Sequence, residues 1–572
     1  MKHIIFFLLI FATPALSQKY DYHWFAGEYD LLPGPPSNFV ISFNTYPPTV
    51  TGMETDYFLS QTHHSLSTKD GQFLYYSNGC SIWRYGTPPV PVTESLNSND
   101  FGCATQTPPS QNIHHGIISL PLDSNKFLLL SFESANTNLQ CLLRKYMYHI
   151  VDFSTNPGTV IEQDKVLANG CFSIAIANRH ANGRDWWIVL PDSKENRFYS
   201  WLLSPDGFVV QDTQYFGAPL LTKGIKSAEF SPDGTKLAIR DAINGLAIFD
   251  FDRCTGTISN YKILTIPIYS NNYLVFSPNS RYLFTGDSLY RRLIQYDIKA
   301  TDIEASKQVV GVDENFFDTL GPGGYTSLLT MQRGPNGKIY FFAGTTHYVH
   351  VLDFPNRVGA ACRFNQRAIV LPSYTFGAEG YYPNYRLGPI DGSTCDTLGI
   401  NNMPMAMFHQ DIEDTLSTLA ITFTDASYYE PTEWYWTFGD GSSSTEINPV
   451  HTYAGAGTYT ACLIVKNQYG ADTLCRSIVV SGTSGVGDLP LQLQVTISPN
   501  PFSTHLRVVL PAMIHGVQPE FKLFDLFGRE VLQGTLRDFE QYFAVEYLPK
   551  GVYAWEVSWK GVRWSSGKVV KM

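Results

Sequence analysis

A short polar turn between two apolar strands recurs through residues 19–395 of this chain of 572 residues. The turn residues suit a tight corner, because Pro presets φ and Asp or Asn followed by Gly tolerates a positive φ. The turns recur at intervals of roughly 45 to 60 residues, which is the length of one blade of a β-propeller. The six turns are Lys69–Gly71, Asp123–Asn125, Ala181–Gly183, Ser231–Gly234, Ser277–Ser280 and Gly334–Gly337.

Each repeat offers further apolar strands, such as Leu246–Phe251 and Arg292–Asp297. One four-stranded sheet cannot bury both of its faces, so radial stacking of sheets is the physical solution. The sequence therefore predicts an all-β fold with a β-propeller over residues 18–395. Six repeats are visible, and a seventh blade is expected to pair Tyr22–Gly27 with strands around Tyr381–Leu387, which would close the ring and remove exposed edges. A pair of β-sandwiches is the alternative architecture.

Two segments of this region resemble known propellers. The sequence Ser-Pro-Asp-Gly at Ser231–Gly234 is similar to the corner of WD40-like and TolB-like propellers. The segment Arg179–Trp187 resembles one found in propeller regions of cargo proteins from Bacteroidota. Both resemblances concern structure and imply no reaction.

Charge is scarce in the chain. Charged residues make up 16% of the sequence, the net charge is -11, and Lys and Arg form no block. Nucleic acid and anionic membrane surfaces are therefore not expected as partners. Aromatic residues make up 14%, which is typical of strand-rich proteins.

The N-terminus has the pattern of a signal peptide over residues 1–17. Lys2 and His3 form a polar start, Ile4–Ala12 is apolar, and Ala15–Ser17 provides small residues for cleavage before Gln18. A buried N-terminal strand is the alternative. No later apolar run is long enough for a transmembrane helix.

Four short motifs lie between residues 400 and 482: Trp436–Gly441, Asn448–Tyr453, Gly457–Tyr459 and Val465–Asn467. Together they resemble a PKD domain, an immunoglobulin-like β-sandwich. The pattern usually has Asp after the Trp, where this chain has Thr437. The resemblance implies a spacer or binding module and no catalysis.

Nine cysteines remain in an exported chain where disulfides can form, and the odd number leaves at least one unpaired within the chain. Cys462 and Cys475 fall on facing strands of one predicted hairpin, so they are the favoured disulfide; two separate thiols are the alternative. The weaker candidates are Cys362 with Cys395 and Cys80 with Cys103.

A short linker is predicted at residues 483–488. The last segment, 489–572, contains Ile497–Phe502, Phe524–Glu530, Pro549–Tyr553 and Lys568–Lys571. It resembles the type A C-terminal sorting domain of proteins exported by the type IX secretion system of Bacteroidota. The resemblance implies a small β-sandwich, partnership with that machinery, export through the periplasm, removal of the domain and, often, attachment to lipopolysaccharide. We therefore expect an extracellular or outer-membrane surface location.

Catalytic motifs such as a nucleophile elbow, a P-loop or HExxH do not occur in the sequence. Histidine pairs precede two repeat turns, and imidazoles on inner strands of a propeller could converge on a ligand. Ordinary strand histidines are the alternative. His180 and Asp185 flank another turn and are either an acid/base pair or a structural brace. The weak candidates for ligand binding are thus His63, His64, His114, His115, His180 and Asp185. We expect no cofactor and no metal.

Aromatic side chains raise the possibility of sugar stacking, although most are expected to pack in the core. The examples are Trp186, Trp187, Trp201, Tyr381 and Tyr382. The sequence favours a non-enzymatic binding or adhesion protein whose propeller presents a ligand-binding face. A secreted glycan-active hydrolase or lyase with a site in the propeller channel is the alternative, and a structural adhesin with protein partners is a third possibility.

Overall fold

The computed structural model is all-β and describes residues 18–572 with gaps. The gaps are 28–36, 55–62, 87–89, 94–95, 97–116, 135–143, 171, 173, 193–196, 216–224, 242–244, 265–272, 288–290, 320–323, 327–329, 344–345, 376–380, 415–416, 481–494, 510–518, 537–539 and 560–561. The predicted signal peptide and linker lie outside the described residues.

The chain divides into two compact units. The first contains the chain up to Met407 together with Ala426–Glu433 and Ile464–Thr473. The second contains Phe408–Asp425, Trp434–Leu463 and Leu474–Met572.

In the described part of the first unit, seven antiparallel sheets of three or four strands follow one another, as expected for a propeller of seven blades. Sheet 1 is β1 (His23–Gly27), β2 (Ser37–Ser42) and β3 (Thr49–Glu54). Sheet 2 is β4 (His64–Ser67), β5 (Phe73–Ser77), β6 (Ile82–Arg84) and β7 (Val90–Thr93). Sheet 3 is β8 (Ile118–Pro121), β9 (Lys126–Ser134), β10 (Arg144–Asp152) and β11 (Thr159–Gly170).

Sheets 4 and 5 continue the pattern. They are β12 (Ile176–Arg179), β13 (Trp186–Asp192), β14 (Arg197–Ser204) and β15 (Gly207–Tyr215); and β16 (Ile225–Phe230), β17 (Lys236–Asp241), β18 (Gly245–Phe251) and β19 (Ile258–Leu264).

Sheets 6 and 7 are separated by a short ribbon. Sheet 6 is β20 (Leu274–Phe276), β21 (Tyr282–Asp287), β22 (Arg292–Asp297) and β23 (Gln308–Val312), and the ribbon is β24 (Phe317–Asp318) and β25 (Gly324–Tyr325). Sheet 7 is β26 (Thr330–Arg333), β27 (Ile339–Phe342), β28 (Thr346–Leu352) and β29 (Phe364–Thr375), with a 3₁₀ helix at Gly359–Cys362.

Burial falls from the inside of each sheet to its outer edge. In sheet 4 every residue of β12 and β13 is buried, whereas β15 is exposed or half-buried along its length. Inner strands packed on both faces favour apolar side chains, because neither face meets water, and the buried Asn178 and Arg179 of β12 donate hydrogen bonds to backbone carbonyls. This explains the continuous apolar runs that the sequence showed after each turn.

The predicted corners are formed by their polar side chains. At the turn after β16, Asp233 accepts the Ser231 hydroxyl and the Thr235 N–H (3.0 Å). Gly234 has a φ of 72°, a conformation that favours glycine. The recurrent turn residues therefore form the corner between the first two strands of this sheet.

The first sheet is joined to the second through a side-chain hydroxyl. The Ser65 hydroxyl joins β4 to β1, accepting the Phe25 N–H (3.1 Å) and donating to the His23 carbonyl (2.8 Å). The predicted pairing of Tyr22–Gly27 with strands around Tyr381–Leu387 is wrong, because β1 pairs with β2 and residues 381–387 form no strand. The latter segment is held through its side chains instead.

Residues 408–480 form two sheets, as expected for an immunoglobulin-like sandwich. One sheet is β30 (Phe408–Asp414), β31 (Ser417–Asp425) and β34 (Val450–Thr452). The other is β32 (Glu433–Thr437), β33 (Ser443–Ser444), β35 (Gly457–Asn467) and β36 (Gly470–Val480). Trp436 and Phe438 are buried, and Cys462 and Cys475 form a disulfide of 2.09 Å between β35 and β36. This is the pair that the sequence favoured.

One of the two weaker expectations is contradicted, and the other is not tested. Cys254 is bonded to Cys395, so the pairing of Cys362 with Cys395 is wrong, and Cys362 is a buried free thiol. Cys80 is disulfide-bonded, while Cys103 lies outside the described residues.

The C-terminal residues form a second, smaller pair of sheets. One is β37 (Thr496–Ser498), β38 (His505–Val509) and β41 (Glu540–Ala544). The other is β39 (Glu520–Phe524), β40 (Glu530–Thr535), β42 (Gly551–Trp559) and β43 (Val562–Lys571). They enclose an apolar cluster that includes Leu506, Phe521 and Val557, each fully buried. The small C-terminal β-sandwich expected from the sequence is present.

Candidate functional site

Three tyrosines that follow the last sheet bond to the inner strands of three different sheets. These residues are Tyr381, Tyr382 and Tyr385, and all are buried. The Tyr382 hydroxyl lies 2.6 Å from Ser65 Oγ on β4. The Tyr385 hydroxyl donates to the Ser119 carbonyl on β8 (2.8 Å), and the Tyr381 hydroxyl donates to the Ala177 carbonyl on β12 (3.4 Å). The segment therefore occupies the space that these inner strands face.

Two of these tyrosines also make aromatic contacts. The Tyr382 ring is stacked with Trp24, with centroids 6.0 Å apart, and lies 4.7 Å from the His64 ring. The Tyr385 ring meets the edge of Trp186 at 5.8 Å. Such ring contacts stabilise a core beyond the area they bury. Tyr382 and Tyr385 thus pack against aromatic rings of sheets 1, 2 and 4.

His64 is the predicted site residue that lies in this centre. Its Nδ1 is 3.2 Å from Ser119 Oγ. Burial, and then the charge of neighbouring His63, lowers the pKa of His64 to about 3, against an opposing hydrogen bond to the Tyr381 backbone. His64 is therefore neutral at physiological pH, and His63 beside it is also buried.

An ion pair joins the inner strands of sheets 5 and 7. Glu229 lies 3.0 Å from Arg333 Nη1 and also accepts the Phe276 N–H at 3.1 Å. Burial raises the pKa of Glu229 to about 7, although Arg333 acts in the opposite direction. Its two carboxylate oxygens are therefore engaged in holding three sheets together.

Two arginines bind the residues before β1 and those that follow the tyrosines. Arg386 donates two hydrogen bonds of 2.5 Å to Asp21, and both side chains are buried. Arg179 donates to Gln18 Oε1 (2.6 Å) and to the Tyr385 carbonyl (3.0 Å). The residues before β1 and those after the tyrosines are thereby tied to each other and to sheet 4.

His180 and Asp185 bond to other groups and not to each other through their side chains. His180 Nδ1 accepts the Asn182 N–H (3.1 Å) and its Nε2 lies 3.0 Å from the Cys254 carbonyl. Asp185 accepts from the Asn182 amide and from Arg184 Nε, both at 2.7 Å. This geometry favours the structural alternative, in which the two residues brace the turn.

The remaining candidates from the sequence are two histidines and three tryptophans. His114 and His115 lie outside the described residues. The aromatic candidates Trp186, Trp187 and Trp201 are at most 3% exposed, so they pack in the core and present no face to a sugar. Within the described ranges, no group of three or more His, Cys, Asp or Glu side chains could hold a metal ion.

Two buried histidines that sequence reasoning did not single out share one structural role. His149 Nδ1 accepts the Asp164 N–H (3.1 Å), and His350 Nδ1 accepts the Arg367 N–H (3.0 Å). Asp164 and Arg367 both have a φ of 52° in the outermost strand of their sheet. Burial lowers the pKa of each histidine to about 4. Their placement at the same point of two blades could be found only by aligning the repeats strand by strand.

A histidine and a carboxylate meet at the surface of the sandwich of residues 408–480. His451 Nε2 donates to Asp440 Oδ2 (2.7 Å), and the His451 ring is stacked on Phe438 with centroids 4.1 Å apart. Hydrogen bonding, chiefly from the Ser442 hydroxyl, lowers the pKa of Asp440 to about 2. The pair is an ionised acceptor and its donor, which fixes the turn that carries Asp440.

The two ends of the C-terminal sandwich are joined. Phe502 N–H donates to the Val570 carbonyl (2.8 Å), and the Val570 N–H donates to Asn500 Oδ1 (3.0 Å). The buried Lys571 ammonium donates to the carbonyls of Ser503 and Val545. The motif at the start of this segment and the motif at its end therefore form one structural unit.

A PKD domain model matches residues 401–481. A collagenase of Bacillus cereus is 46% identical over 46 residues, which is 8% of this chain and 5% of the collagenase. The chain thus spans a small fraction of that relative. The first PKD domain of a Vibrio cholerae metalloprotease is similar in structure, with 30% identity, coverage of 14% of this chain and 99% of that domain, and a TM-score of 0.13.

The propeller region also has a structural neighbour. The periplasmic gluconolactonase of Pseudomonas aeruginosa is 11% identical and covers 63% of this chain and 98% of its own, with a TM-score of 0.36. A likeness at this level carries no argument about activity. Among the described residues, no helix is long and apolar enough to cross a membrane.

Proposed function

We propose that this chain is an exported binding or adhesion protein. In this proposal the propeller presents its outer surface to a glycan or protein ligand and the PKD domain acts as a spacer or second binding module. PKD domains are typical of extracellular proteins, which supports a location outside the cell. The support for binding on the outer surfaces is that Tyr381, Tyr382 and Tyr385 are buried and bond through their hydroxyls to the inner strands of three sheets.

We further propose that residues 489–572 direct export through the type IX secretion system. The supporting observation is the junction of Asn500 and Phe502 with Val570 and Lys571. The residues that carry the family resemblance at the two ends of the segment meet in one small sandwich with its own core. A receptor could therefore recognise them together as one folded element.

Deletion of residues 489–572 tests the export proposal. In cells of the natural host, the shortened protein should disappear from the surface and the medium and accumulate in the periplasm. Immunoblots of fractionated cells give the readout, with the full chain as the control. Unchanged levels of the shortened protein at the surface or in the medium would contradict the export proposal.

The binding proposal is tested separately with the full mature chain. A glycan array followed by a pull-down from host extracts should identify a ligand that dissociates unchanged. An activity screen on the same glycans distinguishes the hydrolase or lyase alternative. Product release at a rate proportional to the amount of protein would replace the binding proposal with the enzymatic one.

A further inference from the structure

The two-stranded ribbon between sheets 6 and 7 exposes two aromatic rings side by side. The ribbon consists of β24 and β25, and every other described strand from β1 to β29 belongs to one of the seven sheets. Phe317 and Tyr325 lie directly opposite each other in its register, so their side chains share one face. Phe317 is 47% exposed and Tyr325 is 51% exposed. We refer to these two residues as the aromatic platform.

The opposite face of the ribbon is anchored to sheet 7. Asp318 follows Phe317 and therefore points to the other side of β24, where it is buried. Its carboxylate accepts the backbone N–H of His347 on β28 (2.7 Å) and the Nδ1–H of the same residue (2.9 Å). Within the ribbon, the Thr326 N–H donates to the Phe316 carbonyl (2.9 Å). The aromatic platform is therefore preorganised, which lowers the entropy lost when a ligand binds.

The two rings of the aromatic platform form a corner. Their centroids lie 4.9 Å apart and their planes are inclined at 69°. In the described part of the propeller, no other two aromatic rings in contact are both exposed. One ring of such a corner offers its face for stacking while the other ring forms a side wall. The corner therefore suits a ligand with one small apolar face.

A guanidinium group lies beside the aromatic platform. Arg291 immediately precedes β22, and its guanidinium carbon is 5.7 Å from the centre of the Tyr325 ring. The Asp313 N–H donates to the Arg291 carbonyl (2.8 Å), but the Asp313 carboxylate accepts the Asn315 N–H (2.9 Å). The neighbouring carboxylate of Glu314 is paired with another arginine at 2.6 Å. Among the described residues Arg291 has no ion-pair partner, so its N–H donors remain available.

These groups indicate the class of ligand. A fully covered aromatic side chain buries about 150–250 Å², so two rings fall far below the roughly 1,200 Å² of a stable protein complex. Small-molecule sites instead combine aromatic side chains with a few polar groups that fix orientation. A sugar ring presents an apolar face of C–H groups with oxygen atoms around its rim. An unpaired guanidinium binds a carboxylate through two parallel hydrogen bonds, which favours a sugar that carries one.

We propose that the aromatic platform and Arg291 bind an acidic sugar unit of a glycan. One face of the sugar stacks on Tyr325, Phe317 contacts its edge, and Arg291 donates to its carboxylate. This inference rests on the proposed binding function, and it names the class of ligand and the place where the ligand binds.

Titration of the full mature chain with acidic oligosaccharides tests the proposal. Oligosaccharides of galacturonate, glucuronate and mannuronate are compared by calorimetry with the same oligosaccharides after reduction of their carboxylates. The parent chain should bind at least one acidic oligosaccharide more tightly than its reduced form.

Three variants assign that binding to the proposed groups. F317S/Y325S should weaken binding about tenfold or more, because the stacking surface is lost. R291Q should abolish the preference for the acidic form over the reduced form. Y261S is the control and should bind like the parent, since Tyr261 is an exposed ring on sheet 5. F317W/Y325W should retain binding, because indole rings also stack on a sugar face; loss of binding in this variant would overturn stacking as the mode of recognition.

Nitration with tetranitromethane gives a readout that requires no substitution. Tyr325 and Tyr261 are both exposed, so both should be nitrated in the free protein. The bound oligosaccharide should protect Tyr325 and leave Tyr261 reactive, as measured by mass spectrometry of peptides. Equal nitration of Tyr325 with and without the oligosaccharide would overturn the inference.

The remaining outcomes separate this inference from the proposed binding function. Equal binding by F317S/Y325S and the parent, or no binding of any acidic oligosaccharide by the parent, overturns the inference. The binding function stands in both cases if the glycan array or the pull-down still yields another ligand. Failure of the parent chain to bind any ligand in all of these assays overturns the binding function itself.

Discussion

The propeller centre and the C-terminal turn use aromatic residues in opposite ways. Tyr382 in the centre is 4% exposed and bonds through its hydroxyl to an inner strand, whereas Phe527 in the turn is 86% exposed and packs on no core. Burial of an aromatic ring stabilises a fold, whereas the exposed Phe527 ring contacts the Arg529 guanidinium at 5.7 Å and contributes little to the core. The difference separates residues that hold the protein together from residues available for recognition.

The largest expected effect on stability comes from breaking the buried ion pair of Arg386 and Asp21. In R386A, Asp21 stays buried without its partner, so the free energy of unfolding should fall by about 3–5 kcal/mol. Chemical denaturation of the full mature chain measures the loss. The double variant D21L/R386M, which removes both charges, should recover most of it. If the free energy of unfolding fell no more in R386A than in a surface variant, the Arg386–Asp21 ion pair would not contribute to the stability of the propeller.

Acid should also destabilise the propeller through its buried histidines. The pKa of His350 is lowered from 6.5 to about 4 by burial, so between these values the unfolded chain binds a proton that the folded chain does not. Stability is therefore full above pH 6.5 and falls as the pH drops towards 4. The loss from this one group is roughly 3 kcal/mol at the acid end.

A matched variant isolates that contribution. In H350N the amide oxygen can still accept the Arg367 N–H, but no titrating group remains. The difference in unfolding free energy between pH 7 and pH 4.5 should therefore be smaller by roughly 2–3 kcal/mol than in the parent chain. Equal pH dependence of the two proteins would contradict the assignment of the acid sensitivity to His350.

The recurring turns predicted the propeller because each of them reports a local property. Ser231, Asp233 and Gly234 form their corner through contacts within a few residues, so their sequence alone is sufficient. The disulfide between Cys254 and Cys395 spans 141 residues and depends on how the ring closes, which periodicity does not determine. The Cys462–Cys475 pair could be chosen because only a hairpin separates the two residues.

The candidate site shows the same limit. Sequence reasoning placed a strand at Tyr381–Leu387 to close the ring, but the tyrosine side chains bond to three different sheets, and only the assembled ring brings those sheets together. For His180, local sequence could not reveal the Cys254 carbonyl as its partner. The exposed turn at Leu526 and Phe527 had a visible signal, because these two residues interrupt a turn otherwise made of Asp, Gly and Arg.

Removal of single hydroxyl groups in the centre should have a moderate effect. Y382F loses the hydrogen bond to Ser65 and should reduce the unfolding free energy by about 1 kcal/mol. Y381F should lose less, because the bond of Tyr381 to the Ala177 carbonyl is long at 3.4 Å. Denaturation of both variants under one condition gives the comparison. A larger loss in Y381F would show that the centre is held differently from what the distances indicate.

The smallest effect on stability is expected at the turn that carries Leu526 and Phe527. L526S/F527S keeps the hydrogen bonds of Asp525 that hold the turn, because they involve backbone groups and Arg529, and it loses an exposed contact of Arg529 with the Phe527 ring at 5.7 Å. The unfolding free energy should therefore stay within about 0.5 kcal/mol of the parent value. Chemical denaturation of the two proteins gives the comparison. A loss above about 1 kcal/mol would mean that Leu526 and Phe527 support the fold, and the contrast with Tyr382 would fail.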